Sequence, residues 1–549
     1  MSNNKSVTTN IEAEPYTGIY AMHKYWSKKP YNVIRNFIER YSRIGETVLD
    51  PFCGSGISVV EAIATGRKAI GVDINPSAIF ITRQMLEKVD IVDAVEVFRE
   101  IEEKVKERIN SLYKVRRNGR VYQGTHYIWE HGSLTEVWYQ NGNKEKHIDA
   151  ATEEDKEVAD AFRYEDINLF YPSQHFFHNP RINAYGDRRI CELFTPRNLF
   201  GLSILMDTIE NIKSAEMKDF FKFCFTSAVG QTSKMVFVVK KRGKMNNKSH
   251  ANNKKEVGSW VIGYWTPNEH FEINVWNCFE KRYRKILKAK KLQQYSRYST
   301  SEAENFREID SSEKNLLLIN QSAQSVVVHF PSDSVDYIIT DPPHGNRIPY
   351  LELSMMWNAW LKREVDYENE IIISESKGRK KDIGKYNALI NTVISEICRI
   401  LKPSGYFSLM FNSLDDDAWI NLVTHISLLD FELKKIETLS YSSNSVVQDT
   451  RKAGLKTDFI ITMQKINKKV KRVPEILAIE NDNGEICKII TELFYKRDDE
   501  GLEMYEILNY LIVDFLNRNK FFRLSEVISL IETRFKVRQK KWHFPSPTL

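Results

Sequence analysis

The chain has 549 residues, 42% of them apolar and 28% charged, enough core for roughly two to four domains and far from the composition of a disordered or low-complexity protein. A formal net charge of only +6 sets up no global field demanding a polyanionic partner, so local basic patches carry more meaning than the total. Six scattered cysteines without a Cys-x-x-Cys pair argue against a zinc ribbon or a disulfide framework, and no apolar run approaches a signal peptide or membrane span, so no metal and no membrane are expected and a cytoplasmic setting fits.

Residues 1–18 are polar and read as a loose tail. From Met22 to Tyr31 aromatic and basic residues alternate, with Tyr25 and Trp26 reading by themselves as core anchors, and a helical pattern follows on Val33, Ile34, Phe37, Ile38 and Tyr41. The stretch Thr47 to Asp73 organises what comes after it. A short apolar run (Val48, Leu49) feeds a Gly54-Ser55-Gly56 turn, a helical pattern runs through Ala64, and a second apolar run ends on Asp73. That is a strand, loop, helix, strand unit with a nucleotide-type pocket, in which glycines let a ligand lie against backbone amides and Asp73 accepts from two ribose hydroxyls. Asn75-Pro76-Ser77 opens a helix, and helical spacing from Ala78 to Tyr113 predicts one long helix.

Between about 114 and 310 the pattern breaks into short, aromatic, turn-rich pieces, which reads as an inserted domain because the nucleotide-binding pattern resumes only afterwards. Two basic stretches lie inside it. Lys240, Lys241, Arg242, Lys244, Lys248, Lys254 and Lys255, with no acid among them, predict a mobile loop, and Lys281 to Lys291 is a basic helix; with Trp260, Tyr264 and Trp265 nearby, both suggest contact with a polynucleotide backbone. From Leu316 strands return, and the strand Ser334 to Thr340 ends on Asp341-Pro342-Pro343-His344. Consecutive prolines stiffen the backbone and remove amide donors, so the Asp341 carboxylate and the Pro342 carbonyl form a rigid acceptor pair suited to an exocyclic amino group. Beyond the charged segment 363–386, expected as a mobile loop over the mouth, come a helix (Asn387 to Leu401), a strand (Tyr406 to Phe411), a hairpin (Phe431 to Leu439 with Asp458 to Met463), a linker at 467–474 and three helical patterns, the last with Ser525 as N-cap.

The Asp-Pro-Phe-Cys-Gly-Ser-Gly stretch resembles motif I, and Asp-Pro-Pro-His resembles the Asp-Pro-Pro-Tyr motif IV, of S-adenosylmethionine-dependent DNA amino-methyltransferases acting on adenine N6 or cytosine N4. The His-x-Tyr-Trp-x-Lys-Lys-Pro stretch ahead of them is similar to motif X, giving the order X, I, insert, IV of the family's α group. The resemblance covers roughly 20–80 and 315–465. It implies an α/β, Rossmann-like fold with a mostly parallel sheet, divided into a methyltransferase domain (19–80 and 315–466), an inserted target-recognition domain (81–314) and a small helical C-terminal domain (475–549). It also implies that Lys28, Pro30, Asp50, Phe52, Gly54, Ser55, Gly56, Asp73, Asn75 and Ser322 surround S-adenosylmethionine, while Asp341, Pro342, Pro343 and His344 handle the target base. The substrate implied is double-stranded DNA, adenine favoured, in restriction-modification or phage defence with a restriction or defence-system partner. An RNA methyltransferase of the guanosine-N2 kind and a non-catalytic nucleic-acid-binding subunit stay open as alternatives. Two departures stand out: His344 replaces the family's stacking aromatic residue, and Ser322 stands where many relatives carry Asp.

Overall fold

The computed structural model describes residues 13–141, 145–241, 254–293, 298–311, 313–345, 348–376, 378–413, 415–439, 458–467, 473–477, 479–495, 501–538 and 541–543. Helix α1 (Tyr31–Tyr41) turns Val33, Ile34, Phe37 and Ile38 inward at helical spacing. Strand β1 (Thr47–Asp50), helix α2 (Ile57–Ala64), strand β2 (Lys68–Val72) and helix α3 (Pro76–Leu86) follow. Asn75 caps α3 by accepting from the Ser77 amide at 3.2 Å, and Pro76 sits in the first turn, where its missing N–H costs nothing. The helix expected from Ala78 to Tyr113 is in fact two. Helix α3 stops at Leu86, and α4 (Ile91–Ser111) restarts on Asp90, whose carboxylate accepts from the Val92 and Asp93 amides. Lys290 holds the break, its ammonium donating to the carbonyls of Gln84 and Glu87 at the end of α3.

The region beyond α4 builds a second sheet from β3 (Lys114–Arg117), β4 (Arg120–Glu130), β5 (Ser133–Gln140) and β6 (Lys146–Ala150), with a separate hairpin β7 (Val238–Lys241) and β8 (Lys254–Val257), and β9 (Glu269–Ile273) paired to β4. Helices Pro196–Glu210, Ala215–Val229 and Val275–Gln293 pack with α4. A fully buried ion pair, Arg197 to Glu272 at 2.5 Å, ties the first of them to β9, with Thr195 and Trp129 also donating to Glu272. This region shares one apolar core with the N-terminal elements: Trp26 stacks on Trp357 at 5.8 Å and meets Trp260 edge-on at 5.5 Å, while Phe223 packs on His23 and Phe80. Trp260 and Tyr264, read from the sequence as neighbours of a polynucleotide, are core residues, whereas Trp265 is exposed.

The chain then returns with β10 (Leu316–Ile319), β11 (Val335–Thr340), helix Ile383–Ile400, β12 (Leu401–Phe411), helix Asp416–Ser427, β13 (Phe431–Leu439) and β14 (Asp458–Lys465). The central sheet runs β10-β2-β1-β11-β12-β14-β13, with β14 antiparallel to both of its neighbours and the other pairs parallel. Winding goes outward from β1 through β2 to β10, then restarts on the other side of β1 with β11. That reversal opens a crevice at the carboxyl ends of β1 and β11.

The segment 363–386 packs down rather than forming a loose loop. Arg379, nearly inaccessible, pairs with Glu352 at 2.8 Å and with Glu370, and Lys381 donates to the carbonyls of Glu368 and Glu370. Its charges find buried partners, which composition cannot reveal. At the C-terminal end, helices Ile479–Tyr495, Met504–Asn517 and Leu524–Arg534 are joined by a parallel pair, β15 (Glu475–Leu477) with β16 (Lys520–Phe522), and a hairpin, β17 (Lys536–Arg538) with β18 (Lys541–His543). Arg523, not Ser525, occupies the N-cap of the last helix, and Asp416 accepts from the Ser525 amide at 3.1 Å and from its hydroxyl. Most of the expected linker at 467–474 and the polar stretch 442–456 lie outside the described residues. Among the described residues no helix is long and apolar enough to cross a membrane, and all six cysteines are unpaired.

Candidate functional site

A cleft enclosing about 860 Å³, open mouth included, lies at the carboxyl ends of β1, β2, β10 and β11. Its floor is the loop after β1. Asp50 holds that loop: Oδ1 accepts from the Phe52 amide at 3.0 Å and from the Thr340 hydroxyl at 2.7 Å, and Oδ2 accepts from the Ser58 hydroxyl. Burial pushes the Asp50 carboxyl up to about 6, against the pull of these three donors. Asp50 thus ties the end of β1 to the end of β11, the two strands that flank the crevice.

Gly54 and Gly56 both have positive φ, +52° and +77°, and a Cβ on Gly56 would lie 2.3 Å from the Thr82 side chain. The turn therefore requires glycine. Across it stands Asp73, just past β2, with Oδ2 accepting from the Gly54 amide and Oδ1 from the Asn75 amide, each at 2.8 Å. Desolvation raises the Asp73 carboxyl to about 7, with Asp50 and Glu370 adding to the rise and the two amides opposing it. Asn75 is fully buried and ties the rim together, donating to Tyr25 at 3.2 Å and to Ser354 at 2.8 Å. Tyr25 walls the cleft and stacks near Tyr350, their centroids 6.2 Å apart.

The opposite wall is the loop after β11. Asp341 is engaged on one oxygen by Lys29 at 2.8 Å, and Lys29 also pairs with Asp458 at 2.6 Å; the three side chains are 16%, 7% and 4% exposed. The other Asp341 oxygen, Oδ1, lies 3.0 Å from His344 Nε2, out of line for a hydrogen bond, and neither atom has a hydrogen-bond partner among the described residues. His344 is folded inward, its side chain 8% exposed and edge-on to Phe411 with centroids 5.2 Å apart. Behind it the Tyr386 hydroxyl donates to the Pro343 carbonyl at 2.6 Å, and the Gly345 amide to the same carbonyl at 3.1 Å, so the Pro-Pro turn is pinned.

Of the residues read from the sequence, Lys28, Asp50, Phe52, Gly54, Ser55, Asp73, Asn75, Ser322, Asp341 and Pro343 line this cleft. Pro30, Gly56, Pro342 and His344 do not line it directly; Pro30 starts α1, while Gly56 and His344 support its floor and wall. Lys28 turns its ammonium onto the carbonyls of Tyr20 and His23, at 3.0 and 2.7 Å, and desolvation lowers it to about 7. Ser322 donates to the Asn369 carbonyl at 2.9 Å, which fastens the 363–386 segment over the cleft. Lys29 and Asp458 were missed: the Lys-Lys-Pro run does not say which lysine points inward, and their pairing spans more than 400 residues of chain.

The basic cluster on β7 and β8 is partly neutralised. Lys240 pairs with Glu269 at 2.6 Å, and Lys255 with Glu269 at 3.3 Å and Glu136 at 3.6 Å. Arg242, Lys244 and Lys248 lie outside the described residues, as do the side chains of Lys241 and Lys254. The helix Val275–Gln293 keeps a more open basic face, with Lys281, Arg284, Lys285, Lys288 and Lys291 exposed. Among the described residues no group of three or more His, Cys, Asp or Glu side chains is arranged to hold a metal.

A family model described as DNA methylase matches residues 2–84. Over 101 residues the chain is 30% identical to the type II methyltransferase M.MjaII of Methanocaldococcus jannaschii, covering 18% of this chain and 19% of that one. Over 63 residues it is 38% identical to ribosomal protein L11 methyltransferase of Vibrio parahaemolyticus, covering 11% and 21% respectively. The chain thus spans about a fifth of the length of the curated relatives it matches. Among solved structures, a protein of Thermus thermophilus described as a DNA modification methylase aligns at 13% identity with a TM-score of 0.16, over 27% of this chain and 53% of that one.

Proposed function

We propose that this chain is an S-adenosylmethionine-dependent methyltransferase acting on the exocyclic amine of a base flipped out of double-stranded DNA, adenine N6 in preference to cytosine N4. Its setting is restriction-modification or phage defence, alongside a partner subunit. One observation carries the reading: a single cleft is lined by the glycine loop, the Asp73 carboxylate and, on its far wall, Asp341 held by Lys29. The family match over residues 2–84 and the likeness to M.MjaII support the same chemistry. The likeness to a methyltransferase of a ribosomal protein supports methyl transfer without favouring a substrate, so the substrate is argued from Asp341.

The residues fit a nucleoside-type methyl donor. Asp73 meets the loop amides and has lone pairs left for two vicinal hydroxyls, while Gly54 removes a side chain where a ligand must lie against the backbone. Tyr25, Phe52 and Ile371 supply apolar walls for an adenine-type ring. When bound, S-adenosylmethionine supplies a methyl group on a positively charged sulfur. The protein's own task is to orient the amine. The Asp341 carboxylate accepts one N–H and so directs the nitrogen lone pair, and Lys29 holds that carboxylate in place.

Incubation with tritiated S-adenosylmethionine and unmethylated genomic DNA, tRNA or ribosomal protein tests the proposal. Label should enter DNA and digest to N6-methyladenine, and Asp341→Ala should lose this activity while binding cofactor and DNA. Label in tRNA or protein alone, or full activity in Asp341→Ala, overturns it.

A further inference from the structure

Resting on that reading, we infer that Arg282, with Lys24 and Lys285 beside it, forms an anion-binding site that takes a backbone phosphate of the DNA substrate next to the cleft. Two other cations of helix Val275–Gln293 are answered from within the fold: Arg284 pairs with Glu280, and Lys290 donates to the carbonyls of Gln84 and Glu87. Arg282 is half-buried, yet its guanidinium has no hydrogen bond or ion pair among the described residues. An arginine keeps its charge at any working pH, so this side chain presents a fixed fork of donors for which the fold supplies no acceptor.

Its neighbours add positive charge instead of cancelling it. Helical spacing puts Lys281, Arg282 and Lys285 on one face, and the turn Gly18–Ala21 packs on the same helix, bringing up the segment that carries Lys24. The Lys24 ammonium lies 3.9 Å from the centre of the Trp260 ring and donates to the Trp260 carbonyl at 2.6 Å. Desolvation and then the nearby Arg282 lower it to about 8, and Lys285 is lowered by desolvation, Arg282 and Lys281. Lys285 acts in turn on Lys28, a residue of the cleft wall, so the cluster adjoins the cleft. Among the described residues every charged group acting on Lys24, Lys28 and Lys285 is a cation, and beside Arg282 stands only the Cys278 thiol, which burial pushes up to about 12 and so keeps neutral. A bound anion relieves that mutual repulsion. A phosphodiester suits the guanidinium, which meets two phosphate oxygens at once. Lys281, Lys285, Lys288 and Lys291 are exposed and carry the charge along about 15 Å of helix, a length suited to a polyanion and not to a single small anion.

The test measures binding of a fluorescent duplex to wild type, Arg282→Gln and Arg282→Lys across salt concentration. Arg282→Gln should bind about 10- to 100-fold more weakly, the size of a lost hydrogen bond between charged groups, and its slope of log K against log salt should fall by about 0.9. Arg282→Lys should keep the wild-type slope and lose only part of the affinity, since the charge stays and the fork goes. Both variants should bind S-adenosylmethionine as wild type does. A readout independent of affinity is the titration of the Lys24 ammonium, followed by ¹³C NMR in lysine-labelled protein and assigned by its loss in Lys24→Gln. Saturating duplex should raise its midpoint by about one pH unit or more, whereas inorganic phosphate or polyglutamate at the same concentration of charged groups should leave it in place. An unmoved Lys24 midpoint with saturating duplex, a response to free phosphate or polyglutamate alone, or wild-type affinity and slope in Arg282→Gln would overturn this inference and leave the proposed function standing. No methyl transfer to DNA by wild type would remove both.

Discussion

Replacing Asp73 with Asn or Ala probes the link between the glycine loop and the proposed cofactor. The carboxylate already accepts from the Gly54 and Asn75 amides, both at 2.8 Å, so only its outer lone pairs remain for ribose hydroxyls. Hydrogen bonds to a charged group contribute about 1.5–3 kcal/mol each, and water entering the open cleft offsets part of two such losses. The expected weakening is about 2–4 kcal/mol, roughly 30- to 1,000-fold in Kd. Because desolvation holds the Asp73 carboxyl near 7, affinity in the wild type should fall as pH drops below about 7, and this limb should vanish in Asp73→Asn. Folding has the opposite sign. A carboxyl raised in the folded state costs stability as pH climbs from its unfolded value toward about 7, so Asp73→Asn should melt within a few degrees of wild type at pH 8. Calorimetric titration with S-adenosylmethionine from pH 5.5 to 8.5, beside thermal melts, measures both. An unchanged Kd, or a wild-type Kd flat with pH, refutes the assignment.

Gly56→Ala should destabilise the protein by about 1–3 kcal/mol and abolish cofactor binding, since its Cβ would sit 2.3 Å from Thr82 in a left-handed backbone; normal melting and affinity would contradict this. Lys29→Met leaves Asp341 and Asp458 facing each other with their shared cation gone, and should cost about 3–5 kcal/mol in urea titration. Replacing Lys281, Lys285 and Lys288 with Ala should reduce the slope of log K against log salt by about 0.9 per lost phosphate contact. Lys240→Ala with Lys255→Ala should leave that slope nearly unchanged, because both ammoniums already pair with Glu269, and a large drop would show that DNA displaces the acid.

Local physics made much of the central unit legible from the residues. The β1 to β2 stretch was readable because apolar runs, a glycine turn and helical spacing lie within a few residues of one another, and β10, β11 and the β13–β14 hairpin followed for the same reason. The placement of Asp50, Gly54, Asp73 and Asp341 in one cleft follows from strand ends in a parallel sheet, a rule that pattern alone can invoke. Where charges end up is a different matter. Lys28 and Lys29 are chemically identical neighbours, yet one ammonium goes to the Tyr20 and His23 carbonyls and the other to Asp341 and Asp458, because the backbone turn before α1 points them apart. The segment 363–386 read as loose because it is charged, and it is pinned because Glu352, far from Arg379 in sequence, lies against it. Desolvation and ion pairing depend on which distant groups meet, and this chain brings those groups together only when its sheet closes.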